Sequence, residues 1–213
     1  MFHVCQNCGM WRRDKIIDPT GPHAICPECG HRHSFKMLPL LIVSGAGGAG
    51  KSSVCQALAG KIDEAVLLEG DIIWRPEFNQ PDDAFRGFFE AWLRIAMNVG
   101  QSGRPVVLFG AGMGVPANME PCIHRRYFSR LSYLALVCND DLLAERLRAR
   151  PEWRGCADPA FIAAHQQFNR WFREEGPTTA PGIDLLDTTG VSPEDTARQV
   201  AAWIRSQLST DKA

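Results

Sequence analysis

One run of eight residues constrains this chain more than any other. Gly45-Ala46-Gly47-Gly48-Ala49-Gly50-Lys51-Ser52 fits the phosphate-loop pattern G-x-x-x-x-G-K-[ST]. An apolar run, Leu38 to Val43, leads into it, and a helix-like stretch, Ser53 to Lys61, follows. That is the strand–loop–helix context the motif needs. Glycines let backbone N–H groups turn inward around a polyphosphate, and the helix N-terminus adds the positive end of its dipole. In this reading Gly45, Ala46, Gly47, Gly48, Ala49, Gly50 and Ser53 cradle the phosphates. Lys51 neutralises the β- and γ-phosphates, and the Ser52 hydroxyl holds Mg²⁺.

The same residues also satisfy the dinucleotide fingerprint G-x-G-x-x-G. Glu69 and Asp71 stand near where that fingerprint wants a ribose-binding acid. Lys51-Ser52 has no role in a dinucleotide site and two roles in a phosphate loop. An arginine cluster downstream also suits triphosphate chemistry, so the phosphate-loop reading is preferred.

Four of the eight cysteines form a second pattern, Cys5-x-x-Cys8 and Cys26-x-x-Cys29, with seventeen residues between the pairs. This spacing matches a four-cysteine zinc site. Gly9 and Gly30 follow the pairs, so each pair sits in a tight turn, and two such turns can close a tetrahedron of thiolates around Zn²⁺. Two disulfides are the alternative, which a reducing compartment disfavours. A segment this short has little core of its own, and a metal would supply folding energy directly. His31 and His33 are read as surface residues of the ribbon's last strand, and Cys138 as core.

The chain therefore divides into a zinc ribbon over residues 1–36 and a phosphate-loop domain over residues 37–213. Phe2, Val4, Trp11, Ile16, Ile17, Ile25 and Phe35 are expected to form the ribbon's small apolar layer. Beyond Pro39, apolar runs at Leu40–Ser44, Ala65–Glu69, Pro105–Phe109, Tyr133–Val137 and Ile183–Leu186 alternate with helical patterns. Phe85, Phe88, Phe89 and Trp92 recur at helical spacing, as do Phe161, His165, Phe168 and Phe172 behind Asp158 as N-cap. Phe85 and Trp92 are read as core. Such alternation predicts an α/β three-layer sandwich on a five-stranded parallel sheet, with ligands at the carboxyl ends of the strands.

A net charge of −1 gives no global pull toward nucleic acid or anionic membrane. The longest apolar run, Met37 to Val43, is too short to span a bilayer. A cytoplasmic protein is expected.

Several groups beyond the loop can do chemistry. Asp71, after the second strand, is placed to orient an acceptor hydroxyl and take its proton late, or to help hold Mg²⁺. The third strand, Val106 to Phe109, does not end in an acid, so no Walker B aspartate stands there. Gly110-Ala111-Gly112 lets backbone approach a ligand. Trp74 and Arg75 are candidates for an acceptor pocket. Arg150 and Arg154 flank Pro151 on a lid-like segment and suit the charge of a transferring phosphoryl group, while Arg146 faces the nucleotide. Thr188, in Asp187-Thr188-Thr189-Gly190, is placed to line a base site.

Taken together, residues 38–208 resemble a small P-loop kinase of the adenylate kinase-like superfamily, nearest its shikimate, gluconate and nucleoside kinase branches. The loop, Glu69-Gly70-Asp71, Gly110-Ala111-Gly112 and the Arg146–Arg154 segment carry the resemblance. It implies strand order 2-3-1-4-5, ATP·Mg²⁺ as donor and a small hydroxyl-bearing acceptor such as a nucleoside, nucleotide or sugar acid. The ribbon lies outside those families' usual domain. It keeps open a second class, a nucleotide-dependent module or polynucleotide kinase docking nucleic acid or protein. The ribbon's basic residues, Arg12, Arg13, Lys15, Arg32 and Lys36, are partly offset by Asp14, Asp18 and Glu28, which disfavours nucleic acid.

Overall fold

The computed structural model describes residues 3–78 and 84–209, which form two sheets. Three short antiparallel strands, β1 (Ile16–Asp18), β2 (His23–Ile25) and β3 (Arg32–Ser34), make the N-terminal ribbon. The second sheet is parallel and contains β4 (Leu40–Ser44), β5 (Val66–Glu69), β6 (Val106–Phe109), β7 (Leu131–Val137) and β8 (Ile183–Asp187). Its spatial order is β5-β6-β4-β7-β8. Counted from β4 as strand one, this is 2-3-1-4-5, the order the kinase resemblance implies. A dinucleotide fold would place its second strand, not its third, beside the first.

Strand side chains alternate between two faces, and the two cores show it. Leu40 and Ile42 pack beneath α2 (Arg86–Gly100) and α5 (Pro159–Glu174), with Trp92 and Phe172. Leu41 and Val43 pack on the other face against α1 (Lys51–Leu58) and α6 (Pro193–Ser209), with Val54, Val200 and Ile204. A four-residue helix, α3 (Pro116–Met119), and α4 (Asp140–Arg148) complete the set. Asn139 caps α4, Asp158 caps α5, and Ser192 accepts from Asp195 N–H at the start of α6. Among the described residues, no helix is long and apolar enough to cross a membrane.

Trp92 is fully buried and donates its indole N–H to the carbonyl of Gly70 at 3.0 Å, tying the core to the backbone between Glu69 and Asp71. Trp92→Ala is expected to cost about 3–5 kcal/mol in urea unfolding, with Trp92→Phe costing clearly less. Equal costs for the two would mean that the lost hydrogen bond to Gly70, common to both variants, outweighs the ring volume there. Phe85, by contrast, is not core. It is 39% exposed and begins α2 in a left-handed conformation, φ 62°.

The ribbon differs from expectation inside. Val4, Trp11 and Ile16 are exposed, Ile17 and Ile25 are half-buried, and Phe2 lies outside the described residues. The buried positions include His3, Cys5, Lys15, Ala24, Cys26 and Phe35. Sulfur and the lysine stem fill the centre, so the other apolar side chains have no interior to enter. Ala24 and Phe35 join the same core cluster as Leu40 and Trp92. Phe35 meets Tyr127 edge-on at 5.5 Å. The Gln101 side chain pairs with both backbone groups of Lys36, and His3 bonds His124, which in turn bonds Glu90.

Candidate functional site

The phosphate loop joins β4 to α1. Gly45 adopts φ 138°, and a Cβ there would lie 2.4 Å from the Leu136 carbonyl of β7, so only glycine lets the two backbones come this close. The Lys51 ammonium donates to the carbonyls of Gly45 and Ala46 at 2.9 and 3.0 Å. Burial pushes it down to about 8; Asp71 and Glu69 oppose that, and Arg150 adds to it. A cation in this state gains much from an anion brought alongside.

Ser52 Oγ donates to the Glu69 carboxylate, which ends β5. A hydroxyl and a carboxylate side by side at the loop are hard oxygen donors of the kind Mg²⁺ takes together with phosphate oxygens. Glu69 is therefore a candidate site residue, which the sequence reading named for the rival dinucleotide site and for the kinase resemblance but not as a metal ligand. The signal was there: Val66-Leu67-Leu68-Glu69 is an apolar strand ending in an acid, but the acid was sought on the following strand. Asp71 is exposed in the short turn that follows β5, near enough for its charge to favour the Lys51 ammonium.

A cleft of about 330 Å³ runs along the loop from Gly48 through Ala49, Gly50, Lys51, Ser52 and Ser53, with Arg146, Arg150 and Thr188 opposite. Val191 and Pro193 give it an apolar end. Arg146 makes long contacts, 3.4–3.5 Å, to Gly48 O and to Thr188 Oγ1 and O. Thr188 is buried and anchored on the Val137 carbonyl. The structure thus gathers the predicted loop residues with Arg146, Arg150 and Thr188.

It does not bring Arg154 into that group. Arg154 stacks over the exposed Trp153 at 5.5 Å and does not line the cleft, because the chain turns outward after Pro151. Arg150 contacts Cys156 Sγ at 3.7 Å. Beyond the end of β5, Trp74 packs with Phe78, Phe85 and Phe88 in an aromatic group, and Arg75 is exposed. Gly110, Ala111 and Gly112 are fastened to the neighbouring backbone: Gly110 N–H donates to Val43 O, Ala111 O accepts from Ser44 Oγ, and Gly112 O accepts from Asn118.

His165, which the sequence reading noted only as part of the helical pattern of α5, also reaches the loop. Its Nδ1 accepts the Gly47 N–H at 3.1 Å. Spacing with Phe161, Phe168 and Phe172 gave no sign of a contact across 118 residues.

In the ribbon, the sulfur atoms of Cys5, Cys8, Cys26 and Cys29 all lie within 4.8 Å of one another. Cys5–Cys29 and Cys8–Cys26 are 3.6 and 3.8 Å apart. Tetrahedral zinc with bonds of about 2.3 Å requires sulfur separations of about 3.8 Å. The four residues therefore fit Zn²⁺. The separations far exceed the roughly 2.05 Å of a disulfide.

No protein-family model and no curated protein matches the chain. Solved structures do. A sugar kinase from Janibacter has a TM-score of 0.58 at 13% identity, covering 82% of this chain and 98% of that one. A gluconokinase from Sinorhizobium meliloti has a TM-score of 0.55 at 19% identity, covering 84% and 99%. A shikimate kinase from Acinetobacter baumannii, solved with shikimate, has a TM-score of 0.51 at 19% identity, covering 80% and 94%. At these identities the likeness is one of fold: the chain has the P-loop kinase fold with a ribbon ahead of it.

Proposed function

We propose that this protein is an ATP-dependent phosphotransferase that moves the γ-phosphate of ATP to a hydroxyl of a small metabolite. The carrying observation is the loop-lined cleft of Lys51, Ser52 and Arg150, with Glu69 bonded to Ser52 and the charge of Asp71 acting on the same lysine. The kinase names of the fold's neighbours support this reading. A nucleoside, nucleotide or sugar acid is the acceptor class proposed.

The residues divide the work by position. Loop amides and Lys51 hold the phosphates. Ser52 and Glu69 would supply oxygen donors for Mg²⁺, which when bound would neutralise phosphate charge. Asp71 orients the acceptor hydroxyl and accepts its proton as the new O–P bond forms and the bond to the leaving ADP breaks. Arg150 stabilises the charge spread over the transferring oxygens. Arg146 and Thr188 bracket the nucleoside end. Trp74 and Arg75, with Gly110–Gly112, are proposed for the acceptor side, and Arg154 is proposed to reach the phosphates only on closure of its segment. The polynucleotide reading is weaker, because ribbon arginines are engaged: Arg12 with Asp14 and Glu28, Arg32 with Asp18.

The test is ATP consumption by wild type and Asp71→Asn against nucleosides, nucleotides, sugar acids and polynucleotide ends. One small acceptor is expected to stimulate turnover, and Asp71→Asn to lower it about 10²-fold or more while binding ADP as before. ADP binding with no stimulation by any acceptor would reject the kinase reading in favour of a nucleotide-dependent binding module.

A further inference from the structure

His165 stands at the loop by construction. α5 is locked to the sheet one turn further on, where the fully buried Asn169 side chain accepts from Cys138 N–H at 3.2 Å and donates to Cys138 O at 2.7 Å and Asp140 Oδ1 at 2.9 Å. Phe161 meets the imidazole edge-on at 4.3 Å. Gly47 leaves the ring its space, since a Cβ there would lie 3.0 Å from Cε1.

The hydrogen bond fixes the ring's chemistry. A backbone N–H can only donate, so Nδ1 must carry the lone pair and Nε2 the proton. Burial, then the charges of Lys51 and Arg150, hold this imidazole below its usual range, which keeps it in that neutral tautomer. Nε2–H makes no hydrogen bond among the described residues, although the ring is half-buried beside two cations. A donor in such surroundings suits an anion.

Position then selects which anion. The nucleotide cleft is lined from Gly48 onward, and Gly47 lies one residue beyond its end. Lys51 and Arg150, the cations whose charge acts on His165, are those assigned above to the phosphates and the transferring oxygens. Resting on the ATP reading above, we propose that His165 is a γ-phosphate-recognising residue: Nε2–H donates to a terminal-phosphate oxygen while Nδ1 holds the Gly47 amide in place. It would make the site prefer ATP over ADP before any acceptor binds.

The test compares binding of ADP·Mg²⁺ with that of the β,γ-imido analogue of ATP, by calorimetry, without acceptor. In wild type the analogue is expected to bind at least about tenfold more tightly. His165→Phe should lower that ratio by about 10- to 100-fold, the worth of a hydrogen bond to a charged group, and leave the ADP affinity within about threefold. His165→Gln, which can accept and donate at one amide, should keep much of the preference. An unchanged ratio in folded His165→Phe overturns the proposal. Wild type binding neither nucleotide overturns the ATP reading beneath it. A second readout needs only a folded His165→Gln for assignment: in ¹⁵N-histidine-labelled wild type, the His165 Nε2–H resonance is expected to move with the imido analogue and not with ADP. Identical spectra with both ligands would equally reject it.

Discussion

Replacing Lys51 with methionine is expected to lower phosphoryl transfer by about 10³-fold or more while making the protein more stable. The loss follows from the charge that transfer develops on the γ-oxygens, where removal of one preorganised donor costs about 10²–10³-fold. Lys51 is also the ammonium nearest the loop carbonyls, so nucleotide binding falls with it. The gain follows from burial, which pushes the Lys51 ammonium down to about 8. An unfolded lysine titrates near 10.4. Between those values the unfolded chain binds more protons than the folded one, so stability rises with pH there. Below pH 8 the full penalty applies. Discounted for a side chain that keeps some contact with solvent, it amounts to about 1–2 kcal/mol. Lys51→Met should therefore raise the urea midpoint at pH 7, and wild type should close the gap between pH 8 and 10. A variant less stable than wild type at pH 7 would show that the ammonium's bonds to Gly45 and Ala46 outweigh its desolvation. Retained turnover would remove Lys51 from the chemistry altogether.

What could be read from the chain depended on whether the information was contiguous. Four of the parallel strands are runs stopped by glycine or acid, and all five lie within two residues of their expected bounds; Leu131 and Ser132 were missed because Ser132 interrupts the apolar run of β7. The loop is equally local, since eight adjacent residues set its conformation. Glu69 and His165 were not legible as partners, because Ser52–Glu69 and Gly47–His165 are contacts made by topology, across β5 and α5. A helical face with Phe161, Phe168 and Phe172 looks like core from spacing alone, yet only Phe172 is fully buried, Phe168 is half-buried and Phe161 is exposed, and His165 between them reaches the loop. The position of Arg154 outside the cleft was not legible either. Pro151 follows the end of α4, but nothing contiguous signals that Arg154 stacks over Trp153 in the next turn. In the ribbon, the cysteine spacing was informative and the apolar residues were not, because a centre built of sulfur leaves Val4, Trp11 and Ile16 outside.

That sulfur centre carries the other large effect. The ribbon's strands have three residues each, too few for independent stability. If the four thiolates hold zinc, the metal supplies about 10–16 kcal/mol of binding free energy that the ribbon spends on folding. The ribbon in turn covers Tyr127 and part of the Trp92 core through Phe35 and Ala24, and holds Gln101 and His124 through Lys36 and His3. Losing it exposes apolar surface on the nucleotide-binding body. Cys8→Ser is the variant of choice, because Cys8 is exposed and serine there creates no buried clash. Purified wild type is expected to carry one zinc per chain by elemental analysis, and Cys8→Ser well below that. The variant, or wild type stripped by a strong chelator, should melt more than about 10 °C lower, as a loss of several kcal/mol requires for a domain of this size. Hydrogen exchange should become fast in β1–β3 first and rise around Tyr127 and Gln101 next. The phosphate loop, on the opposite side of β4 in sequence and fastened by β7, should keep its protection and its ADP affinity at low temperature. Wild type without zinc, or a variant that melts with wild type, would reject a metal-built ribbon. Loss of ADP affinity in a variant whose body remains folded would instead make the ribbon part of the nucleotide site.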